Sequence, residues 1–111
     1  MAYDEQLAGR VREALAPEGP ADERTMFGGL AFMVDGHMTV CVSGSGGLMV
    51  RVTDAERAGL LEHDHVEPMV MGGRTSRTWV RVSVDGVADD EALDRWVARG
   101  VAVVRTLPPK G

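Results

Sequence analysis

Three apolar runs separated by two very short glycine-bearing breaks constrain this chain more than any other feature. The runs are Thr25–Val34 (TMFGGLAFMV), His37–Ser43 (HMTVCVS) and Leu48–Val52 (LMVRV). Asp35-Gly36 stands between the first two, and Gly44–Gly47 (GSGG) between the second and third. Met38, Val40 and Val42 alternate with Thr39, Cys41 and Ser43, the period of a strand with two unlike faces. Asp-Gly between such runs is a tight-hairpin signal. A parallel pairing would need a crossover of about a dozen residues or more. Neither break has that length, so an antiparallel meander is expected.

Helical patterns flank the meander. Tyr3, Leu7, Val11 and Leu15 recur at helical spacing, and Pro17, Gly19 and Pro20 then stop the helix. Thr53 and Glu56 have capping-box spacing, which predicts a second helix from about Asp54 to His63. Strands follow at about Val66–Met71 and Thr78–Val84, with GGRTSR (72–77) as the loop between them. Val80, Val82 and Val84 are assigned to one face of that last strand, Trp79, Arg81 and Ser83 to the other. Asp89 and Asp90 open a last helix whose inner stripe is Leu93, Trp96, Val97, Gly100, Val101 and Val104. A Trp96 inside that stripe would cost on the order of 3–5 kcal/mol if cut to Ala. The expected fold class is α+β, an antiparallel sheet covered by helices in the order α-β-β-β-α-β-β-α, with residues 1–111 as a single domain.

Charge and composition narrow the function classes. The formal charge is −5, which disfavours nucleic acid, whose binding rests on phosphate neutralisation. Direct DNA binding is expected to be weak, with a Kd of roughly 10⁻⁴ to 10⁻⁶ M or poorer at physiological salt. Cys41 is the single cysteine, so no intrachain disulfide can form and a reducing compartment fits. The first residues, MAYDEQLAGRVREAL, hold no apolar signal core, and no run nears the roughly 18 apolar residues of a membrane helix. A cytoplasmic location without membrane contact is expected.

The whole pattern resembles a known family. MFGGLAFMVDGHM, then LMVRV, a capped helix, VEPMVMGG, TWVRV and a last helix with a central Trp are similar to the TfoX N-terminal domain family over nearly the whole chain. The most specific residues are Met26, Phe27, Gly28, Gly29, Phe32 and Gly36. Founding members of that family regulate bacterial competence genes and carry a second, C-terminal domain. This chain ends just after its third helix, so a single-domain member is expected. The resemblance implies a binding or regulatory module that acts in transcription control through a protein partner, with a transcription factor as a candidate. It implies no catalytic residues and no cofactor. A homodimer stays open as an alternative.

Two sites merit scrutiny. Gly28-Gly29 leads into strand rather than helix, and no Lys-Ser or Lys-Thr follows, so a phosphate-binding loop does not fit. A bulge, a sharp bend or a close backbone approach is expected there instead. The alternative is a small ligand-binding protein or enzyme with a pocket beside that step. The other site is Arg74, Arg77, Trp79 and Arg81, in a stretch with no acid between Glu67 and Asp85. It is a candidate for anion or weak nucleic-acid contact, against the plain reading of a solvated face with Arg81 over Trp79. His63 and His65 near Glu62, Asp64 and Glu67 read as a solvated helix end rather than a metal site. Cys41 reads as an inert mid-strand residue. Met26, Met33, Met38, Met49, Met69 and Met71 read as core filler that could also form an adaptable surface.

Overall fold

The structure, a computed structural model, describes residues 3–19, 21–26 and 28–108; the side chain of Met71 is also outside the description. Helix α1 (Glu5–Leu15) is followed by strands β1 (Asp22–Met26), β2 (Gly29–Val34), β3 (His37–Val42) and β4 (Leu48–Arg51). Helix α2 (Asp54–Leu60), strands β5 (Val66–Met71) and β6 (Arg74–Val82) and helix α3 (Asp90–Arg105) complete the chain. Short 3₁₀ turns occupy Ala16–Glu18 and Val84–Val87. The strands form one sheet in the order β1-β2-β3-β4-β6-β5, with every pairing antiparallel. The α+β class and the helix-covered antiparallel sheet are therefore as expected.

One segment differs in detail. The run Thr25–Val34 is two strands of a hairpin rather than one kinked strand. Met26 pairs with Gly29, so only residues 27 and 28 connect β1 to β2. Two-residue hairpin loops require positive φ, and Gly28 has φ +74°. Gly29 answers a different need. A Cβ built there would collide with the carbonyl oxygen of Val42 on β3. The two glycines thus have separate tasks, a turn and a close backbone approach. Phe27, expected to belong to this motif, lies outside the described residues.

The other hairpins also close tightly. Asp35 and Gly36 both have positive φ, 54° and 81°, between the paired residues Val34 and His37. Gly72-Gly73 alone joins β5 to β6, so Arg74–Arg77 is strand and not the expected loop. The strand stops at Val82, and Val84 falls in a 3₁₀ turn, 54% exposed, instead of extending the inner face. Pro68 lies in β5, an edge strand, at a register irregularity where a missing N–H is tolerated.

The core sits between the helices and one face of the sheet. Leu7, Val11 and Leu15 of α1 and Leu93, Val97, Val101 and Val104 of α3 meet Phe32, Val40, Val42, Val50 and Val80. At the centre of this contact β3 bulges. Phe32 opposes Val40 and Met33 opposes Met38, which leaves Thr39 as the extra residue. Thr39 is fully buried against α3 at Gly100, where a Cβ would fall 2.8 Å from the Thr39 carbonyl oxygen. Trp96, expected within the stripe, is half-buried at its rim with the Arg99 guanidinium 5.6 Å from its ring centre. Its truncation therefore costs less than that of a fully buried aromatic.

Caps and ion pairs fix the helices. Asp89 accepts from the Ala92 amide at 2.9 Å at the start of α3. Thr53 and Glu56 form the expected capping box of α2, and Glu56 also accepts from Arg99 of α3 at 2.6 Å. Partial burial pushes the Glu56 carboxyl up, but the hydrogen bonds from Arg99 and Thr53 outweigh it and hold the group below its ordinary value. Arg10 of α1 reaches Asp90 at 3.0 Å and the Val87 carbonyl at 2.9 Å. Arg12 binds Glu23 of β1 through both carboxylate oxygens, and that hydrogen bonding lowers the Glu23 pKa.

The two glycines of the first hairpin should respond differently to substitution. Gly28→Ala meets no atom within 4 Å and carries only backbone strain, about 1–2 kcal/mol. Gly29→Ala must push β3 away and should cost about 3 kcal/mol or more. Urea midpoints of the two variants check this; a Gly29→Ala variant no less stable than Gly28→Ala would refute the close-approach assignment.

Candidate functional site

Strand alternation that sends Val and Leu toward the helices sends a different set of side chains to the other face of the sheet. One cross-strand row runs Arg24, Ala31, Cys41, Met49, Arg81 and Glu67. Beside it Met33 opposes Met38, and Arg51 opposes Trp79. Ala31, Cys41, Met49 and Met69 are buried there, with Met26, Met38 and Trp79 half-buried around them. The helix-side core contains no methionine among the described residues. Met49 and Met69 thus fill a core as expected, but a second, smaller one on the face without helices, with Met26, Met38 and Trp79 half-buried at its border.

Arginines sort by the same division. Every helix-borne arginine has a carboxylate within 4.0 Å: Arg10, Arg12, Arg57, Arg95, Arg99 and Arg105. The strand-borne Arg24, Arg51, Arg74, Arg77 and Arg81 have none among the described residues. Arg51, and not Arg81, lies over Trp79, with its guanidinium carbon 5.8 Å from the ring centre. Its Nη1 donates to the Met38 carbonyl at 3.1 Å. Arg81 turns away from Trp79 and donates through Nη2 to the Ser45 hydroxyl at 2.9 Å and the Gly46 carbonyl at 3.3 Å.

Of the candidate cluster, Trp79 and Arg81 lie on the open face, opposite Arg51 and Met49. Arg74 and Arg77 lie beyond the register shift of β6 against β5, with Arg74 opposite Met71 at the Gly72-Gly73 hairpin. Arg24 and Arg51 were not anticipated. The signal for Arg51 was nonetheless present, because Met49 and Arg51 alternate with Leu48 and Val50 in LMVRV, whereas Arg24 lies in a strand without apolar alternation. Of the hairpin motif, Phe32 packs into the helix-side core, Met26 borders the open face and Gly36 closes the next turn.

The remaining candidates separate in space. His63 and His65 are exposed, and His65 Nδ1 lies 3.4 Å from the Ser83 hydroxyl. Among the described residues no three His, Cys, Asp or Glu side chains come together as a metal would require. No helix among them is long and apolar enough to cross a membrane. A depression of about 550 Å³ lies between the α2 start and α3, lined by Thr53, Glu56, Arg95 and Arg99. It belongs to the helix side, away from Gly28-Gly29. Space beside Gly29 is taken by the Val42 carbonyl.

The family model of the TfoX N-terminal domain matches residues 13–104, a span that holds the first hairpin, the capping box and the arginine-bearing strands. No curated protein and no solved structure matches the chain.

Burial also decides the chemistry of Cys41. The thiol is 1% exposed, and desolvation pushes its pKa up to about 11. At pH 8 such a thiol is roughly 0.1% ionised, so iodoacetamide should label it at least about 100-fold more slowly than free cysteine until the chain is unfolded. Labelling of the native protein at the free-thiol rate would contradict its burial in the cluster with Ala31, Met49 and Met69.

Proposed function

The chain belongs to the TfoX N-terminal domain family, and from that membership we propose a non-catalytic regulatory module that resembles the N-terminal domain of bacterial competence regulators and acts through a protein partner. A transcription factor is the class of partner the family context favours. The observation that carries the reading is the methionine- and tryptophan-lined sheet face that also bears Arg24, Arg51 and Arg81, none of which has a carboxylate within 4.0 Å among the described residues. Polarizable, unbranched methionines accommodate varied apolar shapes, which suits recognition more than rigid core packing. The net charge of −5 supports a protein over duplex DNA as the primary target.

Affinity capture of the tagged full chain from its native cell, with and without nuclease, tests this. One protein should be recovered in near-stoichiometric amount, and nuclease should not change the yield. Recovery that vanishes with nuclease would replace the protein partner by nucleic acid, and saturable heat with a small metabolite would favour a ligand pocket instead.

A further inference from the structure

We propose that the open face of the sheet receives an acidic, apolar helix of the partner protein, with its leucine-like side chains on the methionines and its carboxylates on Arg24, Arg51 and Arg81. This rests on the protein-partner reading above and adds the chemistry of the segment recognised.

Charge sorting is the first argument. An acidic chain has ample carboxylates to neutralise its arginines, and on the helix side it does so. On the open face Arg51 and Arg81 are held by a backbone carbonyl and by hydroxyl and carbonyl groups of the β3–β4 turn. Each of these contacts uses one terminal nitrogen. A guanidinium carries five N–H donors in a fixed fork, so both side chains are oriented and retain donors for a carboxylate. The opposing acids, Asp22 and Glu67, stand at the two edges, opposite Met33 and Arg81 respectively.

Shape and composition choose the occupant. Single-stranded nucleic acid stacks successive bases on aromatic side chains. Trp79 is the one aromatic on this face among the described residues, since Phe32 packs on the helix side. A second copy of the chain, docked face to face, would bring only Asp22 and Glu67 as carboxylates to Arg24, Arg51 and Arg81 among the described residues. A segment with few carboxylates around an apolar stripe meets both the charge and the methionine surface. From Arg24 to Arg81 the cross-strand row spans four strand spacings. At about 4.8 Å each this is roughly 19 Å, the length of a helix of about 13 residues.

The probe is a synthetic helical peptide of about 14 residues, with Leu at i, i+3, i+4 and i+7 and Glu on the flanks. Its controls are the same peptide with Gln for Glu and an oligothymidylate of similar length. Methyl signals of Met26, Met38 and Met49 in the full chain report binding. The acidic peptide should shift all three saturably. The Gln peptide should bind at least about tenfold more weakly, as should the Arg51→Gln/Arg81→Gln variant once its unchanged thermal midpoint confirms folding. Absent methyl shifts, or affinity indifferent to both changes, would overturn the docking site while a nuclease-insensitive captured protein kept the partner reading standing. Tighter saturation of the same methyls by oligothymidylate would overturn both.

Discussion

The contact of α3 with the bulge of β3 at Gly100 is the constraint on which the other features of this structure depend. A side chain at that position would collide with the Thr39 backbone, so glycine lets the helix axis approach the sheet. Close approach in turn brings Leu93, Val97, Val101 and Val104 onto Val40, Val42 and Val50. The extra residue of the bulge, Thr39, fills the space beneath the helix rather than joining the opposite face. One face of the sheet is thereby given to the core, and α1 completes the cover alongside α3.

The second face follows from the first by strand alternation. On β3, β4 and β6 the residues that alternate with the core valines are Met, Arg, Cys and Trp, and only at the edges do Asp22 and Glu67 give the acids of a plainly solvated sheet. Ion pairing accentuates the division. Exposed pairs such as Arg95 with Glu91 contribute about 0–1 kcal/mol each, so their effect is mainly to neutralise and orient the helix layer. The strand-borne arginines have no carboxylate within 4.0 Å among the described residues. An acidic molecule can in this way present one cationic, deformable surface, and the proposed recognition of an acidic apolar helix uses that contrast.

Much of this was legible in the sequence, and the misses have physical causes. The helices, the Thr53–Glu56 capping box and the Asp35-Gly36 turn were readable because each depends on local spacing. Strand β1 was not, because Asp22–Thr25 is exposed at a sheet edge and shows no apolar alternation. Met26 and Gly29 flank a loop of two residues, so β1 and β2 read as one apolar run. Arg74–Arg77 looked like a loop for the same reason, a polar extension of a hairpin beyond its neighbours. The partnership of Arg51 with Trp79 links positions 28 residues apart, as 79 minus 51 shows, and needs the pairing of β4 with β6 to become visible. Gly28-Gly29 stands out in the sequence as a break in an apolar run, and its task divides between a turn and a close approach.

One face of the sheet builds the fold, and the other is the face proposed to receive a partner. Hydrogen peroxide footprinting of the methionines, with and without the captured partner at saturation, tests it most directly, because the half-buried Met26, Met33 and Met38 line only the open face. Oxidation of all three should slow several-fold in the complex. Unchanged oxidation at these methionines in a saturated complex would contradict it.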